Sequence, residues 1–139
     1  MIDPFKPRED RDLFLSDLIP AANDIDENDH VNNVVYVRWM QDLGIAHWRA
    51  RLPDDIRKDW VWVALRHEVD YRRPILPGQT AKAVTWVGDI DGPRLPRFVL
   101  IYGPDGQLAA RGKTEWCLLK LPSRKPTRVS TELLAHFSR

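Results

Sequence analysis

Acidic, amide and imidazole side chains crowd one short run of this chain: Asp24, Asp26, Asn28, His30, Asn32 and Asn33. A helical pattern starts directly behind them. The arrangement sets a candidate general base, Asp26, beside the unpaired backbone N–H groups of a helix start. That pairing suits addition to a carbonyl whose oxygen gains negative charge. Asn28 is of a type to orient the carboxylate or a water. His30 offers a second acid/base group, since histidine titrates near neutrality. The same residue types also serve as loop and capping residues, a role that fits Asp24 better than chemistry does.

The elements that must position these groups can be read from pattern and punctuation. Leu13 to Pro20 is compatible with a first strand. Val34 to Arg51 reads as the one long helix, capped by Asn32 or Asn33 and closed before Pro53, with Arg49 and Arg51 suiting its C-terminal dipole. Its apolar positions Val34, Val37, Leu43, Ile45, Ala46 and Trp48 spread over several faces, as in a largely buried helix. His47 and Trp48 read as packing residues. Trp60 to Arg73 alternates Val61, Val63, Leu65, Val69 and Tyr71 on one face, and His67 on that strand reads as an interior or interface residue. Thr80 to Ile90, Arg97 to Tyr102 and Leu108 to Leu121 follow as strands, separated by Asp91-Gly92-Pro93 and Pro104-Asp105-Gly106. Residues 1–12 read as a loose Pro-rich arm, and 122–139 as a tail with a short helix from Ser130 to Phe137. One long helix and about five strands in this order make an α+β chain with an antiparallel sheet packed on the helix.

The whole chain sets bounds. Its 139 residues are the size of one domain able to bury a core. With 21 basic and 20 acidic residues, a net charge of +1 gives no field that argues for nucleic acid or an anionic membrane. One cysteine, Cys117, excludes an internal disulfide and any multi-cysteine metal site, and its apolar setting marks it as inert. No apolar run approaches the length of a signal sequence or a membrane span, so the cytoplasm is the default expectation. Asp24-x-Asp26-x-Asn28 begins like a calcium loop. It fails where glycine should stand at Asp29 and glutamate at Val35, so no metal or other cofactor is expected.

The run Asp-x-Asp-x-Asn-x-His-Val-Asn-Asn-x-x-Tyr-x-x-Trp, with this order of elements, resembles the hotdog-fold thioesterases. Both the bacterial 4-hydroxybenzoyl-CoA thioesterase-like group and the plant acyl-ACP thioesterases are similar. The resemblance covers roughly residues 13–122, with Val69-Asp70-Tyr71-Arg72-Arg73-Pro74 and Gly78 as a weaker second match. It implies a hotdog fold, an antiparallel sheet wrapped around one central helix. It also implies acyl-CoA hydrolysis at sites on the interface of a homodimer or homotetramer, where the sheets join edge to edge. By resemblance, Asp26 is the catalytic carboxylate, as general base or nucleophile. Asn33 sits where a backbone N–H polarises the thioester carbonyl, and Asp26, Asn28 and His30 match an Asp-x-Asn-x-His constellation. Tyr36, Arg72 and Arg73 are expected at the substrate, the arginines near CoA phosphates. The basic residues Arg111, Lys113, Lys120, Arg124, Lys125 and Arg128 are weaker candidates for the same role. The chain departs from the pattern at Asp29, often Gly; at Pro74, where plant enzymes carry Glu or Cys; and at Gln41, where many bacterial members carry Glu. Competing readings are an acyl-ACP thioesterase, a non-catalytic acyl-thioester-binding module, and a dehydratase of the same fold.

Overall fold

The computed structural model describes residues 3–139. Strand β1 (Phe14–Leu18) leads through a single 3-10 turn (Ala22–Asp24) and the polar loop into helix α1 (Asn33–Arg51). A short helix α2 (Asp54–Arg57) then turns the chain into β2 (Trp60–Tyr71), followed by β3 (Ala81–Val87), β4 (Arg94–Tyr102) and β5 (Leu108–Lys120). A two-residue β6 (Lys125–Pro126) and helix α3 (Thr131–Ala135) close the chain. The antiparallel sheet is ordered β1-β3-β4-β5-β2, with β6 on the end of β5. Its last strand, β2, is twelve residues long and pairs on one side only.

Helix α1 lies across one face of this sheet and is one-sided. Val35, Tyr36, Trp39, Met40, Leu43, Gly44 and His47 form its buried stripe, at the three- and four-residue spacing of a single helix face. The expectation of a largely buried helix is therefore corrected: Val34 is 70% exposed and Ile45 43% exposed. Val35 and Leu43 share the packing with aromatic residues, Met, Gly and His, while Val34 and Ile45 stand outside it. Beneath α1, β5 presents small residues. A Cβ on Gly112 would lie 2.4 Å from Met40 Cε, so the missing side chain is what lets the helix approach the sheet.

Strand β2 also differs from its expected pattern. A bulge between Ala64 and Arg66 inserts Leu65 without a partner on β5, and an inserted residue reverses which face the following side chains take. Trp62 consequently packs inward in the first half of the strand and Val69 in the second. Leu65 faces out, 50% exposed.

The core has three parts. The first joins α1 to Ile75, Ala83, Val99 and Ile101; the second gathers Leu52, Val87, Leu118, Val129, Leu133 and Phe137 at the far end of α1. The third lies on the outer face of the sheet, around Trp86, Phe98 and Leu100. Part of the first twelve residues, read from sequence as a loose arm, covers that outer face. Phe5 meets Phe98 edge-on at 5.7 Å, and the Arg111 guanidinium sits over Phe5 at 4.5 Å. Arg11, buried, donates to the Gly88 carbonyl. An exposed aromatic cluster rewards any segment that covers it, by about 1.5–3 kcal/mol per large apolar side chain buried. The arm's first two residues lie outside the described ones. Tail residues Val129, Leu133 and Phe137 are likewise core rather than appendage.

Candidate active site

The polar loop is held open by its own side chains. Asp26 Oδ1 accepts the backbone N–H groups of Asn28 (2.9 Å) and His30 (3.2 Å), while the Asp26 N–H donates to the His30 carbonyl (2.8 Å). This tight turn puts Asp29 at φ 59°. That is the left-handed region where glycine is easiest and Asp or Asn are the best tolerated substitutes. The departure from glycine at this position thus leaves the turn intact. The Val31 N–H donates to the Ile75 carbonyl (2.9 Å) and the Asn32 N–H to that of Asp24 (2.8 Å).

Asp24 clamps the loop to the helix. It is buried, accepts both Nη1 (2.9 Å) and Nη2 (3.0 Å) of Arg38, and caps the Ala21 N–H at 2.8 Å. The Arg38 bond and then the Ala21 N–H hold its carboxyl below the usual carboxylate range. Both of its oxygens are thus engaged in the clamp. Among the described residues no three His, Cys, Asp or Glu side chains gather as a metal site.

Helix α1 begins with Asn32 as N-cap, its side chain accepting the Val34 N–H at 3.3 Å. Among the described residues the Asn33 N–H has no hydrogen-bond partner. The Asn33 carbonyl accepts the Tyr71 hydroxyl at 3.0 Å, tying the helix start to the end of β2. Just beyond, the N–H groups of Arg72 and Arg73 both donate to the Ala109 carbonyl (2.8 and 3.0 Å).

These ties enclose a cleft of about 250 Å³. Asp26, His30, Asn33, Tyr36, Arg72 and Arg73 line it together, with Tyr71, Pro74 and Val31. Asn28 does not line it and contributes its backbone to Asp26. Asp26 Oδ2 has no partner among the described residues, so one oxygen is anchored and the other is unengaged. Tyr36 is a buried wall, packed edge-on against Trp39 (5.5 Å) and Tyr71 (5.3 Å). Burial raises the titration of its hydroxyl, which stays a neutral donor. Neither Arg72 nor Arg73 has a carboxylate within ion-pair distance among the described residues. The other basic candidates lie away from the cleft. Arg111 pairs with Asp70 (2.9 Å) and Lys113 with Glu115 (3.2 Å), and Lys120, Arg124, Lys125 and Arg128 do not line it.

Two groupings escaped the sequence reading. Tyr71 completes the cleft, and its signal was the Tyr-Arg-Arg-Pro run at the end of β2. Gln41 Nε2 meets His67 Nε2 at 3.3 Å, and His67 Nδ1 meets Thr114 Oγ1 at 2.8 Å, a polar chain between helix and sheet. Burial lowers the titration of His67. The expectation that His67 is an interior residue agrees with these contacts.

A sequence model of the thioesterase-like superfamily matches residues 20–137. No curated protein sequence matches the chain. Among solved structures, a thioesterase from Thermus thermophilus complexed with coenzyme A and Zn superposes with a TM-score of 0.76. It is 24% identical over 88% of this chain and 90% of that one. A predicted thioesterase from Bacillus stearothermophilus gives 0.79 at 22% identity, covering 90% and 93%. A 1,4-dihydroxy-2-naphthoyl-CoA thioesterase from Synechocystis gives 0.76 at 16% identity, covering 89% and 94%. The shared architecture is the hotdog fold expected from the sequence.

Proposed function

The chain belongs to the thioesterase-like superfamily and is a thioester hydrolase, and we propose that its substrate is an acyl-CoA, cleaved by water to a carboxylic acid and CoA. One observation carries this reading. Asp26 and Asn33, whose Oδ2 and N–H have no partner among the described residues, line one cleft with Arg72 and Arg73, which have no carboxylate within ion-pair distance among those residues.

A thioester is an activated acyl group, so the site must supply a nucleophile and hold the oxyanion. In this proposal water attacks the thioester carbon and Asp26 Oδ2 takes its proton, a contribution of about 10²–10⁴-fold for a positioned base. The carbonyl oxygen gains negative charge against the Asn33 N–H and the positive end of α1, where one donor is worth about 3 kcal/mol. The tetrahedral intermediate collapses with loss of CoA as thiolate, a leaving group that needs little acid help. In the nucleophilic variant Asp26 attacks first, CoA leaves, and water opens the resulting mixed anhydride. The Asn28 and His30 N–H groups fix the carboxylate in either case, and His30, which lines the same cleft, offers a second acid/base group. Arg72 and Arg73 meet the CoA phosphates as charge-assisted donors.

The free edge of β2 supports a homodimer. A twelve-residue strand paired on one side is a template for a second copy. Antiparallel pairing of two β2 edges sets the Trp60 end of one strand opposite the Tyr71 end of its partner, so the cleft of one subunit lies beside the far end of α1 in the other.

Asp26→Asn tests the reading. It keeps an acceptor for the Asn28 and His30 N–H groups while removing the base, so the fold and assembly persist and kcat falls by about two orders of magnitude or more. An unchanged kcat removes Asp26 from the mechanism.

A further inference from the structure

A larger cavity, of about 530 Å³, opens at the other end of α1. Gly44 lies about 16 Å further along the helix than Asn33, at 1.5 Å per residue. Trp48, Trp60, Trp62 and Phe137 give the cavity aromatic walls, and Arg97 and Trp116 also line it.

Arg97 is unusual there. It is 5% exposed, yet no carboxylate lies within ion-pair distance among the described residues. Its Nη1 donates to His47 Nδ1 (2.9 Å) and Thr85 Oγ1 (3.0 Å), while Nε and Nη2 have no acceptor among the described residues. The nearby carboxylate, Asp12, is spent on His47 Nε2 (2.7 Å) and Arg51 Nε (2.6 Å). A buried cation without a paired anion is costly, and proteins seldom keep one without use. Burial lowers Arg97 to about 9, which still leaves it charged at neutral pH. Trp116 packs beside it, its Nε1–H sealed from solvent and without a partner among the described residues. The two side chains converge at Gly44, where a Cβ would lie 3.2 Å from Arg97 Nε and 3.6 Å from Trp116 Cζ2. At the mouth, Arg49 and Lys58 add positive charge, and Asp54 is neutralised by Arg57.

We propose that this cavity binds a small carboxylate with a ring-sized apolar body, its acid end on Arg97 and its body among the tryptophans. Such an acid has two sources: a free carboxylic acid, or the far end of an acyl group still joined to CoA. The second rests on the hydrolase and dimer readings above, in which this cavity faces the partner's cleft; the first does not.

Titration of the whole protein with 3-phenylpropanoate and with its neutral amide, read by tryptophan fluorescence and calorimetry, tests the proposal. The acid should bind about ten- to a hundredfold more tightly than the amide, as for hydrogen bonds to a charged group. Arg97→Met should abolish that preference. No saturable binding, or equal binding of acid and amide by the wild type, overturns the proposal whether or not Arg97→Met folds. Comparing adipyl-CoA with hexanoyl-CoA separates the sources. A kcat/KM preference for adipyl-CoA that Arg97→Met removes places the acid on the acyl group. Acid binding without that preference assigns the free acid. If no acyl-CoA is cleaved while the acid still binds, the acyl-CoA reading fails and this one stands.

Discussion

Acidification should weaken this fold chiefly through one residue, His47, with His67, also held low by burial, adding in the same direction. Its ring is fully buried, stacked on Phe14 at 5.1 Å and edge-on to Phe137 at 4.8 Å. Nε2–H donates to Asp12 and Nδ1 accepts from Arg97, so both nitrogens are satisfied only in the neutral ring. Burial, and then the Arg97 charge, lower its titration to about 4, against the opposing pull of Asp12. An unfolded histidine titrates near 6.5, so between these values the unfolded chain binds the extra proton. The stability from the neutral ring is complete above about pH 6.5 and is lost as the pH falls toward 4. From about pH 7.5 to about pH 4.5 the loss is about 2–3 kcal/mol at 1.36 kcal/mol per unit. For 139 residues that is roughly 7–10 °C in Tm. Asp10, Asp12 and Asp24, all held low, release their share mainly below the ordinary carboxylate range, outside this window. The assay is thermal and urea unfolding of wild type and His47→Gln at both pH values and one ionic strength. Glutamine can donate to Asp12 and accept from Arg97 but cannot titrate. The variant should be less stable at neutral pH, having lost the ring contacts, with most of the pH slope gone. A wild-type stability flat across the window, or an undiminished slope in His47→Gln, would refute the argument.

Other perturbations follow from the same contacts. Asp24→Ala leaves the Ala21 N–H unpaired and Arg38 with only Asp42, at 4.0 Å, and should cost about 1–3 kcal/mol, with a further fall in kcat as the Asp26 loop loosens; a variant matching wild type in both unfolding and turnover would reject the clamp. Gly112→Val drives a branched side chain into the space of Met40 and should cost at least about 1–3 kcal/mol by overpacking, measured by urea unfolding. Arg72→Ala and Arg73→Ala should raise KM for CoA esters while leaving kcat within a fewfold; unchanged KM in both would remove the arginines from phosphate binding.

Much of the cleft was legible because its parts are contiguous in the chain. Asp26, His30, Asn33 and Tyr36 lie in one loop and the first turn of one helix, so local turn and cap chemistry is enough to group them. Pro53, Asp91-Gly92-Pro93 and Pro104-Asp105-Gly106 mark element ends for similarly local reasons, since each fixes or frees φ where the chain must turn. What pattern reading missed depends on tertiary context. The bulge at Leu65 reverses the alternation of β2, and nothing in the run of apolar residues marks where the extra residue falls. The buried stripe of α1 uses Trp39, Met40 and Gly44 beside His47, read from sequence as packing, and hydropathy alone does not distinguish the first three from the exposed Val34 and Ile45. Phe5 has value only against Phe98, far along the chain, so the first residues read as loose. Arg97, His47, Asp12 and Thr85 come from four separate elements or loops, and each looks ordinary until the sheet and helix bring them together.

The most direct test of the account is thiol release from a panel of short, medium, long and aromatic acyl-CoAs, with wild type and Asp26→Asn side by side. The wild type should release CoA and the matching carboxylic acid from at least one ester, at a rate that Asp26→Asn reduces about a hundredfold or more. Saturable acyl-CoA binding with no release from any ester would contradict it and mark the chain as an acyl-thioester-binding module.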